Sequence, residues 1–105
     1  MDQEKLQLYQ RRAAIMKAMG HPSRLMVVDA LAKRPHCVCE LTELIGGDIS
    51  TISRHLSVLK NAGIIMDERR GVQIYYHLRT PCVMNFFDCV EAVLADSSEK
   101  EMCRA

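Results

Sequence analysis

Between residues 20 and 81 the backbone of this chain is punctuated so often that only short elements can form there. Its five glycines and three prolines stand at Gly20, Pro22, Pro35, Gly46-Gly47, Gly63, Gly71 and Pro81. Proline lacks the amide proton that a helix interior needs, and glycine supplies the conformations in which helices stop and hairpins reverse. The fold must be assembled from the segments between these points. A chain of 105 residues has room for one hydrophobic core, so residues 1–105 are expected to form a single domain.

Within the segments, the apolar period names the element. Residues 4–19 place Leu6, Tyr9, Ala13 and Met16 three and four apart, which predicts an amphipathic helix ended by Gly20. Pro22 suits the first turn of a second helix with Leu25, Val28, Leu31 and Ala32 inward, and Pro35 stops it. A third, short helix is expected over 37–45, with Val38, Leu41 and Leu44 inward, followed by the Gly46-Gly47 turn. Asp48 is a good N-cap for a fourth helix, in which Ile52, Leu56 and Leu59 point one way until Gly63. The pattern then becomes β-branched and aromatic: Ile64-Ile65-Met66 and Val72–Tyr76 flank a charged turn at Glu68-Arg69-Arg70-Gly71, a hairpin signal. From Pro81 the helical period returns, with Val83, Phe86, Phe87, Val90 and Leu94 on one broad face, and residues 97–105 are expected to fray.

The predicted fold is therefore mainly α with a β-hairpin, in the order α-α-α-α-β-β-α. Two short helices joined by a glycine turn and followed by a basic hairpin describe a winged helix-turn-helix, whose second helix enters the major groove of double-stranded DNA. Net charge is only +1, but residues 50–80 hold five Lys/Arg against two Asp/Glu, while residues 81–105 hold two against five. The basic excess is local, as expected for a nucleic-acid footprint.

At 100° per residue, the buried stripe of the fourth helix leaves Ser50, Thr51, Arg54 and Ser57 on its outer face, with Ser53, His55 and Lys60 flanking. Small hydroxyls approach phosphates and base edges closely, Arg54 offers two donors to a guanine, and Lys60 a point charge to a phosphate. Arg69 and Arg70 are expected to reach the DNA backbone or minor groove from the hairpin tip.

No run approaches the roughly 18–20 apolar residues of a membrane span, and the first residues are polar and mixed in charge, unlike a signal peptide. A cytoplasmic protein with no membrane partner is expected. Enzymes are disfavoured, because there is no Gly-rich phosphate loop or nucleophile elbow, and the cysteines read C-x-C rather than C-x-x-C with no βαβ pattern around them. Five cysteines, at 37, 39, 82, 89 and 103, form an odd and unevenly spaced set that suits reduced thiols for metal or redox chemistry.

These residues resemble the ArsR/SmtB family of metal-sensing winged-helix repressors. The likeness lies in Gly20–Leu25, Ser50-Thr51-Ile52-Ser53-Arg54-His55-Leu56, Leu59–Ile65, and Arg69-Arg70-Gly71 leading to Tyr75-Tyr76. It implies a homodimer formed by the first and last helices, in keeping with an apolar face over 83–94 wider than so small a domain need bury alone. Where family members often carry Ser-Gln, this chain has Asp48-Ile49, so a glutamine contact to bases is missing and no operator sequence carries over.

Cys37-Val38-Cys39-Glu40-Leu41 resembles the Cys-Val-Cys-Asp-Leu element of the family's arsenic and cadmium/lead sensors. A helix N-terminus favours thiolate, the form that takes soft ions. The resemblance implies a repressor that needs no cofactor to bind DNA and is released when Cys37 and Cys39 capture As(III), Sb(III) or another soft ion. Cd(II)/Pb(II) sensing, and redox or reactive-sulfur sensing by pairing with Cys82 or Cys89, are the alternatives. The third cysteine of the arsenic sensors is replaced by Thr42, so a trigonal site has to draw on Cys82, Cys89 or Cys103. Two residues apart on a regular helix, Cys37 and Cys39 diverge by about 200°, so joint capture is expected to distort the helix start. Zinc sensing on the last helix is set aside, because residues 81–105 contain no histidine. His36 is expected to be a solvated turn residue.

Overall fold

A computed structural model describes residues 2–100, with side chains to residue 96. The order is α1 (Gln3–Met19), α2 (Pro22–Lys33), β1 (His36–Cys37), α3 (Val38–Ile45), α4 (Ile49–Asn61), β2 (Ile65–Arg70), β3 (Gln73–Leu78) and α5 (Val83–Lys100). It is the winged helix-turn-helix expected, with one added strand. The three strands form one antiparallel sheet in the order β1-β3-β2.

Capping chemistry sets the helix starts. The Asp2 carboxylate accepts from the Lys5 backbone N–H at 2.8 Å, and Asp48 accepts from that of Thr51 at 2.8 Å, each satisfying a donor that has no partner inside its helix. His21 caps α2 through Nδ1, and Pro22 follows at a position where its missing N–H costs nothing. Between α3 and α4, Gly46 and Gly47 have φ of 91° and 94°, a left-handed backbone that side chains disfavour.

The core is built on the inner faces of the helix-turn-helix. Val27, Val28 and Leu31 of α2, Leu41 of α3, and Ile52, Leu56 and Leu59 of α4 are buried together with Ala18, Met19, Ile64 and Ile65. The α4 stripe is the one expected. The inner face of α2 is rotated from the predicted one: Val27 replaces Leu25 and Ala32, both exposed. Leu44, also expected inside, is 57% exposed. Helical periodicity identifies an apolar arc, but the neighbour decides which edge of it is covered. Leu25 instead lines a groove with Met16, Phe86 and Val90.

Three local expectations change. Helix α3 starts at Val38, because His36 and Cys37 leave the helix to pair with Tyr76 and Tyr75 of β3. His36 is buried rather than solvated, at 5% exposure, with Nδ1 2.8 Å from the Arg34 carbonyl. The hairpin turn is tighter than predicted: Arg70 pairs with Gln73, so Glu68, Arg69 and Arg70 lie in β2 and only Gly71-Val72 reverse the chain. Gly71 supplies the positive φ, 65°, that a two-residue hairpin needs. At the other end, α5 runs to Lys100; the rest of the tail expected to fray lies outside the described residues.

Among the described residues, no helix is long and apolar enough to cross a membrane.

Candidate nucleic-acid interface and cysteine pair

Because Ile52, Leu56 and Leu59 anchor one side of α4, its other side is presented outward. Ser50, Thr51, Ser53, Arg54 and Ser57 are all exposed, as the sequence predicts. Ile49 joins them at the helix start with its side chain exposed; periodicity places it on the buried stripe, but it lies one turn beyond the core.

Two of the side chains predicted to meet DNA are otherwise engaged. His55 is half-buried and turns inward, accepting at Nδ1 from Arg24 Nε at 3.1 Å. Burial, then the electrostatic influence of its neighbours His21, Arg24 and Arg54, holds its pKa below the ordinary imidazole value. Lys60 is exposed but reaches toward the wing, with Nζ 2.8 Å from Asp67 Oδ2. This hydrogen bond raises the Lys60 pKa and lowers that of Asp67.

The wing arginines also differ. Arg70 donates to Glu68 at 3.0 Å and lies over the Tyr75 ring, 4.6 Å from its centroid. Glu68 is 2.8 Å from His77 Nε2, and these two partners, His77 first, hold its carboxyl below the usual range. Arg69 is exposed, with no such tether among the described residues.

The cysteine pair straddles the start of α3. Cys37 is the N-cap, with extended backbone, and is only 6% exposed, whereas Cys39 is exposed in the first helical turn. The predicted divergence on one helix therefore takes another form: one thiol is inside and the other outside. Glu40 closes the turn by accepting from the Cys37 backbone N–H at 3.0 Å and from Arg34 at 3.2 Å. The Cys37 amide first, then Arg34, lowers its pKa. Thr42, where arsenic sensors have a third cysteine, bonds back to the Val38 carbonyl at 2.7 Å.

Cys82 and Cys89 are exposed; Cys103 lies outside the described residues. Among the described residues, no three His, Cys, Asp or Glu side chains come together to hold a metal ion. Neither Cys82 nor Cys89 thus completes a site with Cys37 and Cys39 in this conformation.

Residues 21–66, from the cap of α2 into β2, match the model of the bacterial regulatory protein, arsR family. A transcriptional repressor SmtB homolog of Synechocystis sp. is 33% identical over 84% of this chain and 67% of its own length. The chain belongs to the ArsR family. The arsenic resistance transcriptional regulator ArsR1 of Pseudomonas putida is likewise 33% identical, over 82% of this chain and 67% of the relative. In structure, the chain is similar to the homodimeric winged helix-turn-helix DNA-binding domain of a possible ArsR-family transcriptional regulator from Mycobacterium bovis. The TM-score is 0.79 and the identity 28%, over 96% of this chain and 93% of that one.

As an ArsR-family protein, the chain is a DNA-binding transcriptional repressor, and its fold and relatives are those of regulators rather than enzymes. The matched segment contains α3, α4 and both Cys37 and Cys39; it leaves out β3 and α5. Arg24 is the side chain, tied to α4 through His55, that periodicity missed. Its only sequence cue is a cation just inside the cap of a core helix, and its partner, His55, is distant in the chain.

Proposed function

We propose that this repressor reads double-stranded DNA as a homodimer and is released when Cys37 and Cys39 capture As(III) or Sb(III). The observation that carries the reading is the position of Cys37. Its backbone pairs with Tyr75 of β3 while it caps α3, and α3 packs on α4 through Leu41 and the core. A soft ion held by both thiolates has to draw the buried Cys37 and the exposed Cys39 to one point. That movement disturbs the wing strand and the first turn of α3 together, and so reaches the recognition helix and the wing at once. Ordinary couplings between sites are about 1–3 kcal/mol, enough to empty an operator.

On this reading Ser50, Thr51, Ser53, Arg54 and Ser57 contact DNA, Arg69 extends the contact from the wing, and Lys60 and His55 hold α4 in place. A third thiolate from Cys82 or Cys89 joins only after rearrangement. The dimer forms through α1 and α5, where Tyr9, Ile15 and Met16 of α1 and Phe86, Val90 and Val93 of α5 are exposed apolar side chains. Their exposure on a small domain is the pattern of an interface.

DNA release is measured with As(III), Sb(III), Cd(II), Pb(II), Zn(II) and peroxide, on the parent chain and with each cysteine replaced by serine. As(III) or Sb(III) is expected to release the parent protein but not Cys37→Ser or Cys39→Ser, with DNA affinity retained in both variants. Release by As(III) from both serine variants overturns the assignment. Release by peroxide alone, with a new disulfide to Cys82 or Cys89 on mass analysis, replaces it with redox sensing.

A further inference from the structure

A small polar cluster grips the recognition helix at its middle. The His21 and His55 rings lie 4.4 Å apart between centroids. Arg24 donates from Nε to His55 Nδ1 at 3.1 Å and from Nη1 to the Ala18 carbonyl at 3.2 Å, so one guanidinium ties α4 to the last turn of α1. His21 Nδ1 accepts from the Ser23 backbone N–H at 3.0 Å. A ring nitrogen that accepts carries no proton, so both imidazoles are in the neutral form, protonated at Nε2.

We propose that His21, Arg24 and His55 form a proton-sensitive lock, in which neutral His55 seats the recognition helix and protonated His55 releases it, lowering specific DNA affinity. A proton at Nδ1 turns the acceptor for Arg24 into a donor facing a donor. It also places a charge beside Arg24, His21 and, on the same helix, Arg54; among the described residues no carboxylate acts on it. The surroundings therefore resist protonation, in agreement with the lowered pKa. The sign follows: the lock is fully present above the ordinary value of 6.5 and is lost as pH falls through the lowered value in the folded protein. Arg24 and His55 are positioning residues here, acting on DNA through the seat of α4.

The lock rests on α4 being the DNA-reading helix, and simple electrostatics opposes it: an added positive charge strengthens attraction to phosphates. The two effects differ in sign and in sequence dependence. The full chain is titrated by fluorescence anisotropy, at constant salt and at about pH 7.5 and 5.5, the range over which histidine changes charge. One duplex is selected by the protein from a random pool at the higher pH, and the other is an unselected duplex. Acid is expected to weaken binding to the selected duplex roughly fivefold or more, the lower end of ordinary couplings, relative to the unselected one. His55→Asn, which keeps an acceptor where Nδ1 stands but does not titrate, is expected to keep the same preference for the selected over the unselected duplex at both pH values.

Wild-type affinity for the selected duplex that, relative to the unselected one, is unchanged or tighter in acid overturns the lock, as does the same relative acid loss in His55→Asn. In the wild-type protein, NMR follows the His55 ring and the α4 amides through the same range; amides that do not move with the ring also overturn it. Absence of any selected sequence at the higher pH overturns the reading of α4 itself, and the lock with it.

Discussion

Leu41 of α3 and Leu59 of α4 have no solvent exposure and belong to the one core that the two helices share. Truncation of Leu41 strips packing from both helices of the DNA-binding pair and leaves a hole that rigid helix packing cannot close. Leu41→Ala is expected to cost about 2–5 kcal/mol, measured by chemical denaturation. At the surface, Arg69 and Arg70 are adjacent in sequence but not equivalent, because Glu68 and the Tyr75 ring already engage Arg70. Arg69→Ala is expected to weaken DNA binding uniformly across sequences and to lower the slope of log affinity against log salt by about 0.9 for each phosphate left without its cation. Arg70→Ala is expected to change that slope less. Equal slopes in the two variants, measured over a salt series, go against this distinction.

Among the elements, α3 depends most on its ends. Its C-terminal turn is made by Gly46 and Gly47 at positive φ, and a Cβ added to Gly46 meets no atom within 4 Å. Gly46→Ala thus tests backbone strain without a clash, and is expected to cost roughly 1–2 kcal/mol in a denaturation experiment. At the other end, Glu40 ties Cys37 and Arg34 together with a lowered pKa. A carboxylate depressed in the folded state stabilises it above the ordinary value of 4.5, and that contribution is lost as pH falls through the depressed value. Glu40→Gln is expected to flatten the acid limb of the stability profile, followed by thermal melts across pH. The hairpin is the element whose turn was misplaced from sequence. The charges of Glu68-Arg69-Arg70 suggest a loop, yet strand pairing tolerates exposed charge on a wing with both faces near solvent, and only Gly71 has the required backbone freedom.

For the whole molecule, the exposed faces of α1 and α5 predict that the folded unit is a dimer. Val93→Glu, at a position 65% exposed in the single chain, is expected to leave the helical content intact, shift sedimentation to a monomer and weaken DNA binding, since two half-sites are then no longer read together. A dimeric Val93→Glu protein with normal affinity counts against that interface. Much of this molecule was legible in the chain: the punctuation by glycine and proline, the Asp48 cap, the Ile52, Leu56 and Leu59 stripe, and the polar face from Ser50 to Ser57. Each depends on residues a turn or two apart, where helical geometry alone decides the outcome. The tertiary structure decided what depends on distant partners. Strand β1 exists because His36 and Cys37 pair with Tyr76 and Tyr75; Lys60 is held by Asp67, and His55 turns inward to Arg24. The frequent breaks determined which short elements could form, while hydrogen bonds and burial between remote segments determined which side chains those elements leave free, because no local period records a partner contributed by another part of the chain.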